Sequence, residues 1–239
     1  MEALIILHGW QSSKEKWREV KREIEGQGIK VIVPDLPGFK KENELKKAWN
    51  LDDYVEWVAK FAKGNIKEPF FLLGHSFGGR VAIKFAAKYP ERLKGLILVS
   101  AGGVEAEKTL KELTISILAP YLKKFSFLPG YRFLREFFYR FILRKTDYLR
   151  AKGFLKETFK KVIQEDLVPL LGKIESGALI IWGEKDKILP LRDAHIMNQK
   201  IKNSKLEILR NIGHNPHLKN PKLLSQKITN FIISQNVCL

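Results

Sequence analysis

The stretch Phe70-Phe71-Leu72-Leu73-Gly74-His75-Ser76-Phe77-Gly78-Gly79-Arg80 carries an apolar run into a helical pattern through a turn of three glycines and one serine. Gly-x-Ser-x-Gly between a strand and a helix is the setting that lifts a serine hydroxyl above a parallel sheet. So sharp a reversal forces Ser76 into an uncommon backbone conformation, and its neighbours must be small. Gly74 and Gly78 let the chain turn without clashing. The turn also sets the next N–H groups at a helix N-terminus, where they favour developing negative charge. The motif therefore predicts a nucleophilic Ser76 on a parallel α/β sheet.

The rest of the chain repeats this alternation. Residues 4–7, 30–33, 70–73, 96–99, 179–182 and 206–209 are short, continuously apolar runs rich in Ile, Leu and Val. Strands covered on both faces read this way. Residues 14–25, 51–62, 77–88, 191–200 and 221–233 have helical spacing. The alternation predicts a mostly parallel sheet of about six strands with helices on both faces. One interval breaks the rhythm. From about Val104 to Leu171 no buried strand is legible, while 131–143 and 154–163 keep helical periodicity. The expected organisation is a core domain from two segments, 1–103 and 172–239, with a helical cap at 104–171.

A serine nucleophile needs a base, and the base needs an orienting carboxylate. In this kind of fold the order along the chain is serine, acid, histidine. Of the five histidines, His214 and His217 follow the run 206–209. His214 is favoured because Gly213 precedes it and it stands nearer the strand end; His217 is expected to begin the last helix. His75 should point away from the nucleophile, and His195 lies in a polar helix. The acid should follow the run 179–182, where Glu184 and Asp186 both stand. Asp186 is favoured, being deeper in the loop and next to Ile188, whose apolar side chain can anchor it. Gly9 ends the first strand run, so the Trp10 N–H is the expected second oxyanion donor beside that of Phe77.

Composition excludes several classes. The 239 residues are 45% hydrophobic and 29% charged, ordinary for a globular protein. No apolar run reaches the roughly 18 residues of a membrane helix. The first residues lack a basic segment and a cleavage site, and the single cysteine, Cys238, allows no intramolecular disulfide. A cytoplasmic location is expected. The net charge of +17 would attract anionic partners. No zinc-finger spacing, RNA-recognition signature or Walker loop accompanies it, so no nucleic-acid partner is expected.

Taken together, His8-Gly9-Trp10, Asp35-Leu36-Pro37-Gly38-Phe39, Gly74–Gly79, Trp182–Pro190 and Gly213–Pro221 resemble the α/β-hydrolase superfamily, in the capped branch of serine hydrolases that holds carboxylesterases and carbon–carbon bond hydrolases. The segments span nearly the whole chain in the family's order. The resemblance implies a helical cap inserted after the sixth family strand, where the rhythm breaks. Ser76 argues against the dehalogenase and epoxide-hydrolase relatives, which place aspartate there. Two departures matter. Family members usually have two further strands before the His-Gly strand, which here starts at residue 3, so six parallel strands are expected rather than eight. Asn215 follows His214 where the carbon–carbon hydrolases usually carry tryptophan.

The function expected is a serine carboxylesterase acting on apolar acyl or aryl esters through Ser76, Asp186 and His214, with no metal or organic cofactor. A lactonase, a thioesterase or a carbon–carbon hydrolase would use the same triad; a ligand-binding receptor or scaffold would keep the fold without the activity. Trp10, Phe77 and the cap residues Phe133, Phe137 and Phe138 are the expected substrate contacts. Between Pro120 and Lys161 twelve cationic residues face three acids. Such a basic cap could meet an anionic carrier or surface.

Overall fold

The computed structural model describes residues 1–66, 69–104 and 153–237. Elements are numbered among these residues. Six strands, β1 (Ala3–Leu7), β2 (Lys30–Ile32), β3 (Phe70–His75), β4 (Leu93–Val99), β5 (Gly177–Gly183) and β6 (Ser204–Leu209), form one sheet in the order β2-β1-β3-β4-β5-β6. Every neighbouring pair is parallel. β1 and β3 are buried along their whole length, and β4 and β5 nearly so. That is why their sequences read as unbroken apolar runs rather than alternating ones. β2 and β6, at the two edges, are only partly buried.

Successive side chains of each strand enter opposite layers. Ile5, Leu7, Leu72, Leu98 and Ile180 belong to a cluster with Tyr54 and Val58 of α2 (Leu51–Asn65) and Val81 and Phe85 of α3 (Phe77–Lys88). Leu4, Ile6, Leu73, Ile97 and Ile181 belong to a second cluster with Val20 and Ile24 of α1 (Arg18–Glu25). Leu224, Ile228 and Ile232 of the last helix, Pro221–Val237, complete that second layer. The sheet is thus covered on both faces.

The helical pattern at 14–25 resolves into a 3-10 turn, Lys14–Trp17, followed by α1. The break falls where Trp17 turns its indole fully into the core. Within the interval expected to be a cap, two helices are described, α4 (Gly153–Gln164) and α5 (Val168–Leu171). Three hydrogen bonds from the Arg80 guanidinium of α3 to the carbonyls of Val162, Ile163 and Glu165 fasten the end of α4 to the body, at 2.7–3.1 Å. Trp49 N–H also donates to Thr158 Oγ1 at 2.9 Å. Phe133, Phe137, Phe138 and the basic stretch around them, along with Cys238, lie outside the described residues.

The order of strands places the functional site. From β1 the chain moves outward one way to β2 and the other way to β3, so the connections diverge between β1 and β3. In open α/β sheets such a divergence opens a crevice at the carboxyl ends of the two strands. Here those ends deliver His8-Gly9-Trp10 and Ser76, in register through the Leu7–Gly74 pair.

At the β2 edge the Lys30 N–H donates to the Glu2 carbonyl at 2.9 Å. The adjacent Val31 amide alternates to the side away from β1. In hydrogen exchange followed by NMR, Val31 should exchange fast and Lys30 slowly, independent of protein concentration. Protection of Val31 that grew with concentration would mean that a second chain pairs with this edge.

Candidate active site

Ser76 caps α3 with φ 53° and ψ −114°. This is the positive-φ conformation that a side chain rarely adopts. The elbow can be so tight only because its neighbours lack a Cβ. A Cβ at Gly74 would stand 2.4 Å from the Gly78 carbonyl oxygen; one at Gly78 would stand 2.1 Å from the Leu7 carbonyl oxygen. One at Gly79 would strike the Ala101 side chain at 2.3 Å. Helix α3 therefore starts in direct contact with the ends of β1 and β3. The strained turn is held on both sides. Ser76 N–H donates to the Ser100 carbonyl at 3.1 Å, and the Ser76 carbonyl accepts from Gly79 N–H at 3.0 Å and Gly102 N–H at 2.9 Å.

The structure brings Ser76, His214 and Asp186 together from three separate elements. Ser76 Oγ lies 3.1 Å from His214 Nε2. His214 Nδ1 lies 2.8 Å from Asp186 Oδ2. A carboxylate only accepts, so the His214 proton sits on Nδ1, and Nε2 is left as the acceptor for the serine hydroxyl. Asp186 Oδ1 accepts from the N–H groups of Ile188 at 2.8 Å and Leu189 at 3.0 Å. Burial pushes the Asp186 carboxyl up, but the His214 hydrogen bond and these two N–H donors outweigh it and hold the group below the usual carboxylate range. The carboxylate is thus kept ionised. The Ile188 side chain, expected to anchor it, is instead 65% exposed; the anchor is the Ile188 backbone.

The two alternatives are spatially excluded from this chain. Glu184 is exposed and its Oε2 accepts from Asn211 N–H at 2.9 Å, bracing the loop that carries His214. His217 does not begin the last helix. It lies in a short helix of its own, Pro216–Lys219, because Asn220 and Pro221 restart the chain after it. Its ring is buried and stacked on Trp17, with centroids 4.4 Å apart and planes 3° from parallel. His195 is on the surface, as its polar helix suggests.

Trp10 borders a cavity of about 190 Å³ beside Ser76 and His214, with Lys16, Ile188 and Leu218 at its other walls. The Phe77 ring is buried behind Trp10, edge-on at 5.2 Å, and also touches Tyr54. The Phe77 N–H, first of α3, has no intrahelical acceptor. Sequence reading missed Lys16, Ile188 and Leu218 as wall residues, since nothing in an exposed lysine or a lone apolar residue marks it. It also missed His8. That imidazole is fully buried; its Nδ1–H donates to the Gly9 carbonyl at 2.8 Å, and its Nε2 accepts from Leu36 N–H at 3.0 Å. His8 thereby ties the Asp35–Phe39 loop to the end of β1. Among the described residues no group of three or more His, Cys, Asp or Glu could hold a metal ion, and no helix is long and apolar enough to cross a membrane.

Comparison with known proteins gives the same outline. The profile described as the alpha/beta hydrolase fold matches residues 2–148. Monoacylglycerol lipase ABHD6 of Mus musculus is 27% identical over 268 residues, covering 97% of this chain and 76% of its own length. The 2-hydroxy-6-oxo-6-phenylhexa-2,4-dienoate hydrolase of Comamonas testosteroni is 29% identical over 238 residues, covering 89% and 81%. Among solved structures, a bacterial membrane phospholipase A superposes with a TM-score of 0.74 at 25% identity, over 98% of this chain and 79% of its own. An esterase from Exiguobacterium antarcticum superposes with a TM-score of 0.75 at 20% identity, over 97% and 92%, a likeness of fold alone.

Three of the site's histidines are buried in neutral form. Burial pushes His8 below its ordinary value, and pushes His75 well below it with help from His217 and His214. Burial, with Lys16 and His214 nearby, takes His217 down to about 3. An unfolded histidine titrates near ~6.5. Below that pH the unfolded chain takes up protons that the folded one refuses. For His217 the stability tied to this burial is therefore complete above pH ~6.5 and is lost as pH falls toward about 3, at roughly 1.4 kcal/mol per pH unit; His8 and His75 act in the same direction. Urea midpoints should decline from pH 7 to pH 5, and His217→Phe should decline less steeply by about one proton's worth. Midpoints that stay level over this range would contradict neutral burial.

Proposed function

The chain belongs to the alpha/beta hydrolase fold family, and from that membership we propose that it is a serine carboxylesterase acting on esters with apolar acyl or aryl groups. The observation that carries the reading is the continuous chain from Ser76 Oγ through the His214 ring to Asp186, at 3.1 and 2.8 Å.

Each atom in that chain has one task. Ser76 Oγ attacks the ester carbonyl carbon as His214 Nε2 takes its proton. Asp186 keeps the imidazole in the Nδ1–H tautomer and stabilises its charged form. The N–H groups of Trp10 and Phe77 receive the oxyanion; each such donor is worth roughly 10²–10³ in turnover. The tetrahedral intermediate collapses with cleavage of the ester C–O bond, and the leaving alkoxide takes the proton from His214. Water, deprotonated by His214, then attacks the acyl-enzyme and releases the acid and Ser76.

Esters rank ahead of carbon–carbon bonds for two reasons. A lipase of monoacylglycerols is among the relatives that match nearly the whole chain. The dienoate hydrolase is also a relative, but Asn215 stands where the carbon–carbon hydrolases usually carry tryptophan. Trp10, Ile188 and Leu218 give the cavity an apolar side suited to an acyl chain. The cap at 104–171, its contacts through Phe133, Phe137 and Phe138, and attraction of an anionic carrier or surface to its basic residues belong to this same proposal.

Nitrophenyl esters and a monoacylglycerol test it. Ser76→Ala and His214→Ala should each abolish nearly all hydrolysis, since the members act as a unit. Asp186→Asn should lower kcat by about 10⁴-fold, and Glu184→Gln should leave it within about threefold. A damaging Glu184→Gln beside a mild Asp186→Asn would reverse the assignment of the acid. Hydrolysis of a vinylogous diketone with no ester turnover would favour the carbon–carbon reading.

A further inference from the structure

His214 hangs from the loop after β6, and a base on a loop needs its backbone fixed as well as its ring. Its ring is held by Asp186 and Ser76, whereas its carbonyl oxygen is held by a different side chain. His75 Nε2–H donates to the His214 carbonyl at 2.9 Å. His75 is the last residue of β3 and the covalent neighbour of the nucleophile. A closed ring of links therefore runs from Ser76 through one peptide bond to His75, across to the His214 carbonyl, along the His214 side chain, and back to Ser76 Oγ. Two hydrogen bonds close it.

The His75 ring has little room to tilt. It is 3% exposed, with the His217 ring at 4.7 Å and the Trp17 ring at 5.8 Å. On the remaining side Gly9 approaches so closely that a Cβ there would stand 3.1 Å from His75 Nδ1. Among the described residues, that buried Nδ1 has no hydrogen-bond partner. With Nε2–H donating, Nδ1 carries the lone pair; a second proton there would be buried without an acceptor. The donor at Nε2 is thereby kept in one direction.

We infer that His75 is a positioning residue for the base: by donating to the backbone carbonyl of His214 it sets the distance between His214 Nε2 and Ser76 Oγ. The inference rests on the reading that Ser76 and His214 carry the reaction. It adds a role for a residue of the elbow that stands outside the Ser76–His214–Asp186 chain.

The test compares variants that differ in the N–H and its reach. His75→Phe keeps the ring and loses the donor. His75→Gln places an amide N–H close to where Nε2 stands, and His75→Asn places one that stops short. Steady-state kinetics on a nitrophenyl ester are expressed per folded molecule, the folded fraction being taken from near-ultraviolet circular dichroism. A misplacement near 1 Å costs on the order of 10²-fold. His75→Phe should therefore lose about 100-fold in kcat with KM within about threefold, and His75→Gln should recover at least about tenfold of that loss. If His75→Phe does not fold, His75→Asn takes its place in the comparison with His75→Gln. A kcat within about threefold of the parent in His75→Phe or His75→Asn, or a His75→Gln no better than them, would overturn the inference. Ser76→Ala is measured alongside: parent-like activity there would overturn the reading beneath it instead.

Discussion

The structure depends on the close approach of helix α3 to the ends of β1 and β3. Only a chain without side chains at Gly74, Gly78 and Gly79 can make this contact, because a Cβ at any of them would fall within 2.1–2.4 Å of another atom. From that contact the rest follows. It sets Ser76 at the crest of the sheet in a positive-φ conformation, aims the start of α3 at the space above β1, and brings Trp10 and Phe77 side by side. The crevice where strand connections diverge is thereby fitted with the Ser76 hydroxyl and with the start of α3 directly after it, the arrangement from which the proposed oxyanion donors are argued.

Behind Ser76, His214 and Asp186 stands a layer of buried, neutral histidines. His8 pins the Asp35–Phe39 loop to β1, His75 joins the elbow to the loop of His214, and His217 packs that loop on Trp17. His8 uses both nitrogens of its neutral ring, one as donor and one as acceptor, whereas His75 uses its Nε2–H and His217 its flat face. The arrangement has a consequence for the whole molecule. The same burial that keeps these rings neutral makes the fold sensitive to acid.

Much of the fold was legible because the sheet is parallel and covered on both faces. The six apolar runs correspond to the six strands, and the glycine turn at Ser76 forms the elbow. Of the candidate site, Ser76, His214 and Asp186 were each favoured from local pattern, Asp186 over Glu184; the geometry brings these three together and ties Glu184 to Asn211 N–H instead. What stayed hidden were pairings between residues far apart in sequence. Trp17 stacks on His217, and the Arg80 guanidinium binds carbonyls near residue 163. Neither leaves a periodic trace, since each concerns a single side chain. Ile188 was misjudged for a related reason: its backbone, not its apolar side chain, holds Asp186. The split of 14–25 into a 3-10 turn and α1 was invisible because both pieces share one apolar face around Trp17 and Val20.

The central claim is that Ser76 is a hydroxyl activated by His214 and flanked by N–H donors for an oxyanion. Reaction with a fluorophosphonate, followed by peptide mapping, tests this without any assumption about the natural ester. The account predicts one phosphonyl group per folded molecule, attached to the peptide containing Gly74–Gly79, with no labelling of acid-unfolded protein. An unlabelled folded protein, or a label on a different serine, would contradict it.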